Sequence, residues 1–459
     1  MCSRVMIAAT GSSCGKTVVT CALLAALVSL GKNVISFKCG PDYIDPMFHK
    51  KATGVESRNL DIFLMGEKGV RYCLDLQEES SEIAVLEGVM GLYDGLGSGS
   101  YSSSNHISVL TNTPVILIVD AKCAALSICA IIKGFMEFED NNIRGIILNN
   151  VSEPMFRYYK QMIEERLNIS VIGYMPNIPE ARISSRHLGL ITADEITDIK
   201  EKISIMKEYA LKCIDIDALL DISEHSGPLS SVQDIFITPP MKNERVFKLY
   251  VAYDEAFCFW YEDNHDLLKR MGAEISFFSP IHDRELPNDA DGLVLWGGYP
   301  ELYGEGLENN ISMRHSLKSA IKNGLPVYAE CGGFIYLQQS LTDLQGKVYE
   351  MLGVIQGNVK MTQKLQNFGY YEIEALKDNL LCMAGEKINA HFFHHSISDC
   401  EGDCFKALKQ NGKSFPCIVS ERNTMNIFAG YQHLHFWGNA NFAENFANAC
   451  TEYKNRGNT

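Results

Sequence analysis

The stretch from Leu325 to Leu337 carries residue types suited to covalent chemistry. An apolar run with β-branched and aromatic residues, Leu325-Pro326-Val327-Tyr328-Ala329-Glu330, stops abruptly at Cys331. Gly332 and Gly333 follow, and then an apolar pattern at helical spacing through Phe334, Leu337 and Leu341. This predicts strand, tight turn, helix. Such a turn lifts a thiol clear of a sheet, its glycines let a substrate approach, and the helix N-terminus lowers the thiol pKa. The shape is a nucleophile elbow with Cys in place of Ser. The plain alternative is a buried structural cysteine. A thiolate nucleophile also needs an imidazole to take and return a proton. Ala429-Gly430-Tyr431-Gln432-His433-Leu434-His435 offers one, although a lone histidine on an apolar face is usually a satisfied core residue. Between them, Gly297 and Gly298 end an apolar run, Gly292 to Trp296, and with Gly332 suit a backbone oxyanion site.

A second set of residues suits phosphate chemistry. Arg4 to Ala9 reads as a short buried strand, and Val18 opens a helix. Thr10-Gly11-Ser12-Ser13-Cys14-Gly15-Lys16-Thr17 lies between them. Backbone N–H groups of Gly11, Ser12, Ser13 and Gly15 would face phosphates, Lys16 would neutralise them, and the Thr17 hydroxyl would reach Mg²⁺. The strict P-loop pattern wants glycine where Thr10 stands, so the motif is imperfect while its context holds. The strand Asn33 to Lys38 ends in Cys39-Gly40-Pro41-Asp42-Tyr43-Ile44-Asp45-Pro46, which places two carboxylates where open α/β sheets bind ligands; a capped surface turn is the alternative. Glu87 directly follows the strand Glu82 to Leu86, the usual place for an acid that partners Mg²⁺ beside a phosphate loop. Strands Val115 to Val119 and Gly145 to Leu148 end at Asp120 and Asn149. Asn149 can read an adenine edge or simply cap its loop.

These signals require elements to position them. Alternating strands and helices give an α/β fold with a doubly wound parallel sheet in the first half and a second such sheet in the second half. Periodicity lapses from Glu224 to Arg245, with Gly227-Pro228 and Thr238-Pro239-Pro240, and reads as a linker. The expected division is 1–223, linker 224–245, and 246–452. At 459 residues, 46% hydrophobic and 21% charged, the chain is long enough for two or more cores. Its net charge of −15 lacks the basic stripe that a nucleic-acid partner would need. The longest apolar helix pattern, Val18 to Leu30, is too short for a bilayer, and the N-terminus lacks a secretory signal pattern. Fifteen scattered cysteines fit a reducing cytoplasm, and Cys400 and Cys404 have no second pair with which to build a zinc site.

Lys38 to Asp45, Ser57-Arg58-Asn59-Leu60-Asp61, Glu87 to Gly95 and Arg186-His187-Leu188-Gly189-Leu190 resemble cobyrinic acid a,c-diamide synthase. That family is similar in its first half to dethiobiotin synthetase. Asp254 to Phe259 and Phe277 to Pro280 match the start of its class I glutamine amidotransferase half, which is flavodoxin-like. The resemblance implies ATP on Gly11 to Thr17, Mg²⁺ on Thr17 and Glu87, and Asp42, Tyr43, Asp45 and Asp94 around the substrate carboxylate. It makes Cys331 the nucleophile and His433 the base. Many class I enzymes carry a glutamate two residues after that histidine; this chain has His435 there, so the third member of the site is unassigned. Asn389 to Ser396 matches a motif normally reading Gly-His-Glu-Phe-His-Tyr-Ser, with Phe392 replacing its glutamate and with His391 and His394 read as structural or substrate-side rather than metal-binding. Where the family has a third glycine beside Gly297, this chain has Trp296.

The implied reaction is ATP- and glutamine-dependent amidation of the a- and c-carboxylates of cobyrinic acid through a phosphorylated carboxylate, in cobalamin biosynthesis. The alternatives are nickel sirohydrochlorin a,c-diamide synthase, cobyric acid synthase and, more remotely, a partition-type ATPase. Partners are then ATP, glutamine and a tetrapyrrole polycarboxylate, with no nucleic acid and no membrane; a homodimer is left open.

Overall fold

The computed structural model describes residues 2–78, 81–122, 125–181, 185–186, 189–190, 198–229, 246–421 and 426–457. The chain forms two compact units, Met1–Ile62 with Gly66–Gln233, and Phe63–Met65 with Asp234–Thr459. Most of the expected linker, and His187 and Leu188 of the Arg186 motif, lie outside the described residues.

The first unit is built on seven parallel strands in the edge-to-edge order Ser57–Leu60, Val34–Cys39, Ile83–Glu87, Ser3–Ala9, Val115–Asp120, Ile143–Asn149 and Ser170–Met175. Strands covered on both faces must be apolar along their whole length, and Val5, Met6, Ile7, Ile116 and Leu117 are fully buried. Helix Lys16–Ser29 is apolar nearly all round for the same reason, its residues Val19 to Leu27 being buried. Ser3–Ala9 sits centrally between Ile83–Glu87 and Val115–Asp120, so the sheet winds both ways from it. The C-terminal ends of these strands form the crevice in which such sheets bind ligands.

The second unit has a six-stranded sheet in the order Ala273–Phe278, Phe247–Ala252, Gly292–Leu295, Val327–Glu330, Ile427–Gly430 and Val419–Glu421, parallel except for the last. A further, largely antiparallel sheet is absent from the sequence reading. It runs Val348–Glu350, Ser340–Thr342, Asn358–Ala375, Lys387–Ser398 and Gln432–Leu434, with Phe405–Leu408 and Ser414–Cys417 attached. Leu341, expected on the helix after Cys331, belongs to this second sheet, because helix Gly332–Leu337 stops four residues earlier. Among the described residues no helix is long and apolar enough to cross a membrane.

Candidate functional site

In the first unit, the strand Ser3–Ala9 turns through Thr10 to Gly15 into the helix that begins at Lys16. Gly15 has φ 87°, and a Cβ there would stand 2.2 Å from Asn149 Nδ2, so only glycine fits. Asn149 Nδ2 donates to the Cys14 carbonyl at 2.9 Å. The amide nitrogen of Asn149 therefore braces the loop between Ser3–Ala9 and Lys16–Ser29. Lys16 Nζ donates to Gly11 O at 3.0 Å and to Met90 O, folding the side chain over the loop. Burial, followed by the nearby Lys38 charge, lowers its pKa.

Thr17, Lys38, Asp45 and Glu87 meet beside this loop. The Thr17 hydroxyl donates to Glu87 Oε1 at 2.8 Å. Lys38 Nζ donates to the same oxygen at 2.9 Å and also contacts Asp45 Oδ2. His49 Nε2 lies 2.7 Å from Glu87 Oε2, while its Nδ1 faces the Ser36 and Ser57 hydroxyls at 3.2 and 3.1 Å. A carboxylate only accepts, so Nε2 carries the proton. Burial alone would lower the Lys38 pKa, but Asp45 and Glu87 outweigh it and keep the ammonium charged. For Glu87 burial works upward, and Lys38 and His49 overcome it to hold the carboxyl well below the usual range. Lys38 and His49 went unassigned in the sequence. The signal available was a lysine closing an otherwise apolar strand, Val34-Ile35-Ser36-Phe37-Lys38.

The carboxylates of the Gly40–Asp45 turn divide their work. Asp42 Oδ1 accepts from the Ile44 and Asp45 amides at 2.8 and 3.2 Å and starts the helix Ile44–Thr53, which Tyr43 adjoins. Asn59 Nδ2 ties the turn down through Gly40 O and Asp42 O at 3.0 and 2.7 Å. Asp94 Oδ2 accepts from the Gly91 amide at 2.8 Å, closing the turn after Glu87. The donor set suits magnesium, because Thr17, Glu87 and Asp45 present hard oxygens around a point that already attracts the Lys38 cation. Among the described residues no group of three or more His, Cys, Asp or Glu is arranged to hold a metal.

The second unit holds the elbow. Val327–Glu330 ends at Cys331, which has φ 43° and ψ −98°, a strained conformation of the kind kept at functional turns. Cys331 is buried, with Sγ 4.0 Å from the Phe393 carbonyl on strand Lys387–Ser398. His433 is buried on strand Gln432–Leu434. Burial would lower the imidazole's pKa, but hydrogen bonds to Cys331 and Glu330, and the charges of both, hold it up at about 10. The structure thus brings the two sequence-predicted residues together. A Cβ on Gly297 would stand 3.0 Å from His433 Cε1, and one on Gly332 would stand 3.0 Å from the Gly298 nitrogen. The glycine loop therefore lies against both His433 and the first turn of the elbow helix, whose first amides have no intrahelical acceptor. Trp296, which stands where the resembled family has a third glycine, is buried and donates Nε1–H to His265 Nε2 at 2.8 Å.

Glu330 is a residue that the sequence reading passed over. Its Oε2 lies 3.3 Å from His433 Nδ1, and its Oε1 accepts the Leu434 amide at 2.9 Å and the Tyr328 hydroxyl. His435 instead packs against Tyr261, ring centroids 5.0 Å apart, and burial pushes it down to about 3. His391 pairs in register with His433, and His394 stacks on Tyr431 at 3.7 Å with Nδ1 2.9 Å from Ser396 O. Burial takes both down to about 3, so both are neutral.

The model described as the CobQ/CobB/MinD/ParA nucleotide binding domain matches residues 5–191 of the chain. The one described as the CobB/CobQ-like glutamine amidotransferase domain matches 248–441. Among curated relatives, the cobyrinate a,c-diamide synthase of Clostridium tetani is 42% identical over 95% of this chain and 98% of its own length. That of Caldanaerobacter subterraneus is 38% identical over 99% of both chains, and that of Listeria innocua 41% identical over 95% of this chain and 97% of its own. With both halves matched in order and relatives of this identity spanning almost every residue, the chain belongs to the cobyrinate a,c-diamide synthase family.

Proposed function

We propose that the chain is an ATP- and glutamine-dependent amidoligase that converts the a- and c-side-chain carboxylates of cobyrinic acid to amides. The observation that carries the reading is the presence in one chain of a phosphate loop beside a buried Lys–carboxylate cluster and of a Cys331–His433 elbow. Neither half alone suffices, because a carboxylate and ammonia do not condense in water without activation.

In the glutaminase half (246–452), His433 takes the Cys331 proton and the thiolate attacks the glutamine side-chain carbonyl. The Gly332, Gly298 and Gly297 backbone receives the oxyanion, and the imidazolium returns its proton to the departing ammonia. His433 then deprotonates the water that releases glutamate from the thioester. In the other half (1–223), Gly11, Ser12, Ser13 and Gly15 cradle the ATP phosphates while Lys16 and Lys38 offset their charge. A bound magnesium ion would be held by Thr17 and Glu87 and would supply positive charge to offset that of the ATP phosphates. Asp42, Tyr43, Asp45 and Asp94 surround the substrate carboxylate as it takes up the γ-phosphoryl group, and ammonia displaces phosphate to leave the amide. The free cysteines and acidic surface fit a cytoplasmic protein that acts on a small tetrapyrrole rather than on nucleic acid.

The test is mass spectrometry of cobyrinic acid and, separately, nickel sirohydrochlorin after incubation with protein, ATP, Mg²⁺ and glutamine. Each acid-to-amide step replaces a hydroxyl by an amino group, and two such steps on cobyrinic acid are expected. Two on nickel sirohydrochlorin alone would move the substrate to the nickel ring; no change on either, with glutaminase intact, would refute cobyrinic acid as substrate.

A further inference from the structure

We propose that Glu330 is the acid that orients His433, so that the glutaminase site is assembled from two consecutive residues, Glu330 and Cys331, and one imidazole. The proposal rests on the glutaminase reading above and supplies the member that the sequence left unassigned.

Four observations carry it. Glu330 Oε2 lies 3.3 Å from His433 Nδ1, and both side chains are almost wholly buried, at 1% and 3% exposure. The carboxylate is fixed from its other side, since Oε1 accepts the Leu434 amide and the Tyr328 hydroxyl. It is therefore anchored both to the strand of the nucleophile and to the strand of the base. A buried carboxylate without such partners would be costly, and here His433, its neighbour Leu434 and the hydroxyl of Tyr328 supply them. The position two residues after His433, where an orienting acid was looked for, holds a neutral, buried His435.

The elbow explains how neighbours in sequence can share one imidazole. Consecutive side chains of a strand point to opposite faces. The left-handed φ of 43° at Cys331 breaks that alternation, so thiol and carboxylate can both reach the same imidazole. Because a carboxylate only accepts, it requires the proton on Nδ1 and leaves Nε2 as the acceptor for the thiol proton. That proton passes from Sγ to Nε2 and back to the leaving ammonia; Glu330 takes no part in the transfer and touches no reacting atom. The other titratable groups facing the pair are Tyr328, Tyr431, His391 and His394. Burial keeps both tyrosines protonated and both histidines neutral, so none of them changes charge between about pH 5 and pH 9.

The experiment compares the native chain with Glu330→Gln and Glu330→Asp. Glutamate release from glutamine gives kcat and KM, the rate of Cys331 alkylation by iodoacetamide is followed against pH, and thermal melting reports the fold. Glutamine at 330 still accepts from Leu434 and Tyr328 but turns a donor toward His433 and favours the wrong tautomer. The expected result is a kcat roughly 10²–10⁴-fold lower with KM nearly unchanged, and slower alkylation at neutral pH. Aspartate keeps the charge at shorter reach and should recover part of the rate. An E330Q chain that melts like the native one, turns over within about threefold of it and shows the same alkylation profile would overturn the proposal. Should E330Q fail to fold, E330D decides: full native kcat and profile would count against an orienting role. If the native chain releases no glutamate, the functional reading fails first, and the alkylation profiles still judge Glu330 on their own.

Discussion

Replacing Lys38 by Met should destabilise the first unit in a manner that depends on pH. Lys38 is 3% exposed, with Nζ 2.9 Å from Glu87 Oε1 and in contact with Asp45. Methionine fills similar space but strands two buried carboxylates beside each other. Breaking a buried pair by removing one partner costs about 3–5 kcal/mol. For a unit of this size each kcal/mol moves the melting temperature by about 2–4 °C, so the expected drop at neutral pH is roughly 6–20 °C. In the native chain the Glu87 pKa is depressed, so its contribution is present above the unfolded value of about 4.3 and lost as pH falls through the folded value. In the variant, burial acts with less opposition and the carboxyl pKa rises, so stability is lost as pH rises through it. The native Lys38 contribution, with its pKa raised, is fully present throughout this range. The gap between the two melting curves should therefore be widest near pH 7.5 and shrink toward pH 4.5. Thermal denaturation of both chains across that range is the assay. A K38M chain that melts with the native one at neutral pH, or with an offset independent of pH, would refute the assignment of Lys38 as the counter-charge.

Cys331→Ala should remove glutamine-supported amidation and retain amidation with added ammonium, measured by product mass; loss of both would contradict the division of labour between the two halves. Trp296→Gly, which installs the glycine that the resemblance led one to expect, should cost about 3–5 kcal/mol through the cavity and the lost bond to His265, read by denaturant unfolding of the second unit. A stability equal to that of the native chain would show that the indole is not part of this core.

The phosphate loop was legible because its signal is local: Gly15, Lys16 and Thr17 adjoin one another, and a strand and a helix flank them. The elbow was legible for the same reason. Lys38 and His49 were not, since their role exists only when Val34–Cys39 and Ile83–Glu87 lie side by side and bring Glu87 between them. Glu330 was hidden by the rule that neighbours on a strand diverge, which holds everywhere along Val327–Glu330 until Cys331 breaks it. The second sheet escaped because Asn358–Ala375 alternates burial irregularly and carries Asn367 at φ 43° and a register shift before Gly369, leaving no clean period of two.

The central place of Ser3–Ala9 has a consequence for how the chain emerges from the ribosome. Its partners in register begin at Ile83 on one side and Val115 on the other. At about 5–20 residues per second, several seconds of translation separate this apolar strand from its first neighbour. The second neighbour arrives later still. During that interval the strand, and the helix that follows it, have no sheet to join and must be shielded from other nascent chains. An arrangement that places the loop after Ser3–Ala9 at the heart of the finished sheet thus leaves the strand that leads into it open on one edge until Val115–Asp120 has been made.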